Sequence, residues 1–177
     1  SKEDILREIE KRIRKIEKEA EELLRESRKI LEELEERDRR LLERVKREID
    51  RLLEETGEDD DLRRLLRELE KALEDMERVS RTVLREIERL IKESEDNIRE
   101  LIERLEELLR EVERRVRDEE LLRRVERELK KLIDEVRKVL KDNFDRNREL
   151  AKEWEDLSRE LFKRAKELIE KVEEASR

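Results

Sequence analysis

The sequence predicts an all-α protein, an antiparallel up-down-up bundle of three long, nearly straight helices. Three observations lead to this prediction. Charged residues make up 60% of the 177 positions, and Leu, Ile and Val interrupt them at helical spacing. Proline is absent and glycine occurs once, which leaves few means of building the tight turns of a sheet. The apolar pattern also loses its phase at two places and so divides the chain into three segments.

The first segment, residues 4–56, has apolar residues at alternating steps of three and four, as a helix requires. They also fall in rows spaced by eleven residues, which together form an apolar seam along the helix. Eleven residues over three turns give about 3.67 residues per turn, so the seam predicts straight or gently right-handed coiling. The rows are Ile5, Ile16, Ser27, Asp38 and Ile49, and Ile9, Ala20, Leu31, Leu42 and Leu53.

The second segment, residues 60–117, and the third, residues 119–176, repeat the eleven-residue spacing. Each of the three helices is expected to be about 80 to 87 Å long at a rise of 1.5 Å per residue. Rows of the second segment include Leu65, Met76, Ile87, Ile98 and Leu109, then Leu69, Ser80, Ile91 and Ile102, then Ala72, Val83, Ser94, Leu105 and Val116. Rows of the third include Leu121, Leu132, Asn143, Trp154 and Ala165, and Val125, Val136, Asn147, Ser158 and Ile169.

Loss of phase predicts a first turn near residues 57–59 and a second near residues 117–118. Gly57 suits the left-handed residue that follows a helix, and the acidic run from Asp59 to Asp61 supplies an N-cap for the next helix. Asp118 is the candidate N-cap at the second turn, where no glycine closes the preceding helix.

Elsewhere the seam keeps its phase, even where polar residues interrupt it. Asp38 and the stretch from Asn143 to Asn147 are such interruptions, and we predict continuous helix through both. Short connections make consecutive helices antiparallel. The prediction is therefore a single elongated helical domain over residues 1–177.

The residue types present exclude most catalytic and metal chemistry. Without Cys or His there is no thiolate ligand, cysteine nucleophile or imidazole base. No residue set identifies a reaction, so we predict that the chain is not an enzyme and has no catalytic, cofactor or metal site. A net charge of -8 argues against a nucleic-acid partner. No apolar run approaches the roughly 18 to 20 residues that cross a bilayer, so we expect a soluble protein, cytoplasmic if expressed in a cell.

Polar residues on the seam gather at two levels when the helices are aligned about the predicted turns. We predict two structural layers: Asp38, Ser80 and Trp154 with Ser158, and Ser27, Ser94 and Asn143 with Asn147. Each layer contains both hydrogen-bond donors and acceptors and could satisfy itself. Because an unpaired buried polar group costs about 1 to 3 kcal/mol, clustering favours a role in specifying how the helices align.

Two other interpretations of these residues stay open. Serine in a helix often bonds its own preceding carbonyl, and Asp38 could reach solvent beside its neighbouring arginines. The same groups could instead line a ligand or catalytic pocket, which would require a cleft with convergent polar groups.

The whole chain resembles a computationally designed de novo helical bundle. The likeness lies in general features and not in a matched motif. These features are helices of matched length, surfaces of Glu, Arg and Lys, and the cap-and-turn segment from Thr56 to Asp60. The clustered polar residues are similar to the buried hydrogen-bond networks placed in such bundles, whereas the glycine-free second turn departs from the usual pattern. The resemblance implies a scaffold with no native substrate.

The leading interpretation is therefore a hyperstable, monomeric, coiled-coil-like scaffold that requires no partner. The alternative is an interaction module that self-associates or offers a groove to a fourth helix from a partner chain. A natural spectrin-like rod is disfavoured because aromatic residues make up only 2% of the chain. Residues that could line such a groove, or widen the core, are Leu6, Leu41, Leu52, Leu90, Leu108, Phe144 and Leu157.

Overall fold

The computed structural model describes residues 2–115 and 117–177, without the side chains of residues 2 and 176. It contains three α-helices: α1 (Lys2–Thr56), α2 (Asp60–Arg114) and α3 (Glu119–Ser176). The predicted all-α three-helix bundle is confirmed, and helix continues through Asp38 and Asn143. Within the described part of the chain, no helix is both long enough and apolar enough to cross a membrane.

The connection between α1 and α2 lies at residues 57–59, as predicted. Gly57 adopts a φ of +57°, the left-handed conformation that ends a helix at low steric cost for glycine. Asp59 caps α2, because its Oδ1 accepts hydrogen bonds from the backbone N–H groups of Asp61 at 3.1 Å and Leu62 at 3.3 Å. These local interactions reverse the chain within three residues.

The connection between α2 and α3 begins earlier than the sequence predicts. Helix α2 ends at Arg114 rather than at residue 117, and residue 116 of the predicted seam lies outside the described residues. The Arg115 N–H bonds the Val112 carbonyl at 3.1 Å, a three-residue step that tightens the last turn. Asp118 is the N-cap of α3, as predicted, and its Oδ1 accepts the Leu121 N–H at 3.2 Å.

The chain divides into two compact units, each built from one segment of every helix. The first unit runs from residue 2 to Lys29 and from Glu88 to Asn147, residue 116 aside, and the second comprises Ile30–Ile87 and Arg148–Arg177. Neither unit is a continuous stretch of sequence. The single-domain assignment stays a prediction.

Each unit has its own apolar core. Side chains from all three helices meet in it, and burial of this kind is the main stabilising contribution to folding. Truncating a fully buried Leu in either core to Ala is expected to cost about 2 to 5 kcal/mol. The largest fully buried side chains are Ile9, Ile16, Ile91, Leu105, Val112, Leu129 and Val136 in the first unit, and Leu52, Leu66, Leu69, Ile87 and Val172 in the second.

One row of the predicted seam, from Ile9 to Leu53, leaves the core near the end of α1. Leu53 is 39% exposed, whereas its neighbour Leu52, which lies beside the seam in the sequence pattern, is fully buried. A straight helix turns by about 20° more than three full turns in eleven residues, so four repeats from Ile9 rotate the row by about 80°. The eleven-residue row therefore reaches the surface at its last member.

Ion pairs between helices flank both cores. In the first unit Arg28 of α1 bonds Glu95 of α2 at 2.5 Å. In the second unit Lys46 of α1 bonds Glu77 of α2 at 2.9 Å, and Arg51 of α1 bonds Glu173 of α3 at 2.9 Å. Exposed pairs contribute about 0 to 1 kcal/mol each, so they support the helix alignment without determining it.

Candidate functional site

A hydrogen-bonded chain of three side chains crosses the core of the second unit. The Trp154 indole Nε1 on α3 donates to the Ser80 hydroxyl on α2 at 2.7 Å, and that hydroxyl donates to Asp38 Oδ1 on α1 at 2.6 Å. We call these residues the polar triad. The serine uses its donor and one acceptor position, so one hydroxyl links all three helices.

Helical spacing explains why these side chains meet. Ser80 and Trp154 occupy seam positions and are 5% and 2% exposed, so both lie inside the bundle. Asp38 is a half-buried seam residue of α1, with one side toward solvent. Arg37, the preceding residue, lies outside the core with its Cζ 5.7 Å from the centre of the Trp154 ring, a cation–π distance.

Burial raises the pKa of the Asp38 carboxyl above its usual value of 3.8. The hydrogen bond from Ser80 opposes this effect by favouring the carboxylate, the nearby Glu77 raises the pKa further, and Arg81 lowers it. The triad therefore contains one titratable group whose ionised form is disfavoured by its surroundings, although it accepts a short hydrogen bond.

Ser158, the fourth residue of the first predicted layer, is not part of the triad. It is half-buried on α3 and lines a surface cavity of about 300 Å³ together with Trp154, Leu41 and Phe162. The rim of this cavity includes Arg37, Arg40, Arg44 and Arg159, with Glu155 as the acidic member. The structure thus brings together three of the four predicted residues by direct hydrogen bonds.

The second predicted layer lies in the first unit and is organised differently. Ser27, Ser94, Asn143 and Asn147 surround one small cavity, but none of these four described side chains is hydrogen-bonded to another. The Ser94 hydroxyl donates to the Leu90 carbonyl at 2.7 Å. Asn143 Nδ2 likewise donates to a carbonyl of its own helix, at 2.9 Å. Ser94 thus adopts the local bonding that the alternative interpretation describes for serine, and Asn143 bonds its own helix in a similar way.

A pair of like charges in the first unit was not predicted from the sequence. Burial is the largest cause that raises the pKa of Glu17, and repulsion from Glu106 and Glu21 adds to it, while Arg14 acts in the opposite direction. A hydrogen bond between Glu17 and Glu106 of the neighbouring helix also raises this pKa. Spacing along one helix could not reveal the pair, because it depends on which exposed faces of α1 and α2 adjoin.

The arrangement of the triad provides hydrogen bonding and packing between helices. The triad serine is hydrogen-bonded to a carboxylate, but its oxygen is buried and also accepts the indole N–H. Across residues 2–115 and 117–177, no group of three or more Asp or Glu side chains is placed to hold a metal ion. No family model, curated protein or solved structure matches the chain.

Proposed function

We propose that this chain is a structural scaffold, a designed and highly stable three-helix bundle whose helix alignment is specified by buried polar groups and which has no native catalytic activity. The observation that carries the proposal is the polar triad. Asp38, Ser80 and Trp154 each come from a different helix, and their two hydrogen bonds are 2.6 and 2.7 Å long.

The triad favours one alignment of the helices over its alternatives. Sliding one helix past another by a single turn moves its side chains by about 5.4 Å, which would break both bonds. The buried indole N–H would then lack an acceptor, at a cost of about 1 to 3 kcal/mol, and the half-buried carboxylate would lose its hydrogen bond from Ser80. An all-apolar seam would carry no such penalty, so the polar triad adds specificity to the apolar core.

The surface is consistent with a bundle that stays monomeric. Of the large apolar side chains that the structure describes, only Leu53 and Val79 are exposed, each by 39%. Isolated apolar residues are ordinary on protein surfaces, whereas an interface requires a contiguous patch. Of the residues beside the seam, Leu52 is fully buried, and Leu6, Leu41 and Leu108 lie half-buried against the two cores. Leu90, Phe144 and Leu157 are also half-buried.

One observation favours the alternative, an interaction module that self-associates or binds a fourth helix. The cavity of about 300 Å³ in the second unit has Leu41, Trp154 and Phe162 among its lining residues. An apolar side chain from another helix could be accommodated there. This module would also keep the triad, which would then align the helices that present the cavity.

Light scattering combined with thermal unfolding distinguishes the two functions. A scaffold should give a molar mass of 22.0 kDa at all accessible concentrations. It should also unfold in one cooperative transition above about 90 °C. A mass that rises to that of a dimer on concentration would support the interaction module instead. A low, broad transition would contradict the scaffold proposal.

A further inference from the structure

One buried acceptor in the first unit has no hydrogen-bond partner among the residues that the structure describes. Asn147 is only 9% exposed, and no described residue donates a hydrogen bond to its Oδ1 atom. Most buried side-chain oxygens in folded proteins are hydrogen-bonded, either to protein or to an ordered water molecule. The Asn147 oxygen therefore requires a donor from elsewhere.

Asn147 also lines a small cavity. Its volume is about 10 Å³, and its polar lining consists of Ser27, Ser94, Asn143 and Asn147. The space is close to the roughly 10 to 15 Å³ that one water molecule requires. Apolar side chains complete the wall, among them Leu23, Ile91 and Leu140. The cavity is too small for an organic ligand, since ligand pockets usually exceed about 300 Å³.

The remaining polar groups supply the other partners that a water molecule needs. Ser94 has committed its hydroxyl hydrogen to the Leu90 carbonyl, so its oxygen is left as an acceptor. Ser27, 8% exposed on α1, contributes a hydroxyl that can donate. A buried water typically makes two to four hydrogen bonds, and this lining provides at least three.

We propose that this cavity is a binding site for a single ordered water molecule, which donates to Asn147 Oδ1 and to Ser94 Oγ and accepts from Ser27. The water thereby links α1, α2 and α3 in the first unit. The two polar clusters then satisfy their buried groups in different ways, the triad by direct bonds and this cluster through solvent.

Two measurements on the full chain test the site. A crystal structure that resolves ordered solvent should show one oxygen about 2.7 to 3.2 Å from Asn147 Oδ1. Oxygen-17 relaxation dispersion counts long-lived water molecules in solution, and the wild type should exceed the Asn147→Leu variant by one. Ser158→Ala, which removes a hydroxyl in the second unit, is the control and should keep the wild-type count.

The proposal is overturned by either of two results. One is a crystal structure in which the ordered Asn147 oxygen is bonded to a protein donor, or in which the cavity beside it contains no electron density for water. The other is an equal number of long-lived waters in the wild type and Asn147→Leu. If Asn147→Leu fails to fold, the crystal structure of Asn147→Ala can be compared with that of the wild type. In Asn147→Ala the cavity is larger, and its water molecule should lie away from the wild-type position.

Discussion

The Trp154 indole donates to the Ser80 hydroxyl at 2.7 Å, and through that hydroxyl it is connected to a carboxylate on a third helix. A single serine oxygen in the core of the second unit therefore connects side chains of all three helices by hydrogen bonds. Removing a side-chain group that is hydrogen-bonded to this oxygen should change stability by an amount that depends on which helix contributes that group.

Ser80→Ala should lower the free energy of unfolding by about 1 to 3 kcal/mol, because it leaves the indole N–H and the carboxylate without their shared partner. Ser94→Ala is a matched control, since both serines are buried on α2 but the Ser94 hydroxyl bonds its own helix. Its cost should be smaller than that of Ser80→Ala, because it removes one contact to the proposed water molecule but leaves no side chain of another helix unpaired, and alanine is the better helix former. If Ser80→Ala and Ser94→Ala lower the free energy of unfolding equally in denaturant, a special role for Ser80 is contradicted.

Asp38→Asn should make stability less dependent on pH. The folded pKa of Asp38 is raised, mainly by burial, so its stabilising contribution is complete below the usual value of 3.8 and is lost as pH rises through the raised value. Asparagine keeps an acceptor for the Ser80 hydroxyl and carries no charge, so this loss should disappear. Denaturant unfolding, measured from below pH 3.8 to above the raised pKa of Asp38, tests this expectation. Asp75→Asn, at an exposed position, is the control. If Asp38→Asn leaves the pH dependence of stability unchanged, the prediction is contradicted.

Glu106→Gln should stabilise the first unit at neutral pH by about 0.5 kcal/mol, because it removes a negative charge that faces Glu17. Because the pKa of Glu17 is raised, the contribution of Glu17 to stability is present at low pH and is lost as pH rises. The stability gained by Glu106→Gln should therefore shrink on acidification. Chemical denaturation at two pH values tests this expectation. Glu107→Gln, at a neighbouring exposed position, should show a smaller gain; equal gains would point to net charge as the cause.

Gly57→Ala should lower the free energy of unfolding by about 1 to 2 kcal/mol, since φ of +57° is unfavourable for any residue with a Cβ. No atom lies within 4 Å of the position that this Cβ would occupy, so the cost is conformational and does not come from a clash with neighbouring groups. Glu58→Ala, in the same connection, should have little effect. A neutral Gly57→Ala variant in thermal or denaturant unfolding would mean that the left-handed conformation is not required.

Local signals in the sequence were sufficient to predict most helix boundaries. Helix α1 ends at Thr56, and α2 and α3 begin at Asp60 and Glu119, as predicted, because caps and the left-handed glycine act through nearby backbone groups. The short first connection also sets the levels of α1 and α2, and this is why aligning the sequence about it places Asp38 beside Ser80.

The end of α2 and the bonding of the buried hydroxyls were not predictable in the same way. The end of α2 at Arg114 involves a tightened last turn with no glycine to mark it. Whether a buried hydroxyl bonds its own helix or a neighbour is a choice of rotamer, so the spacing that located Ser94 could not distinguish its bonding from that of Ser80.

A double-mutant cycle between Ser80 and Trp154 tests the central claim most directly. Trp154→Phe keeps an aromatic ring but removes the indole donor, and Ser80→Ala removes its acceptor. The two variants and their combination should be compared by denaturant unfolding at one pH. If the bond between them helps to hold the helices in alignment, the coupling energy should be about 1 kcal/mol; effects that add to within about 0.3 kcal/mol would contradict the account.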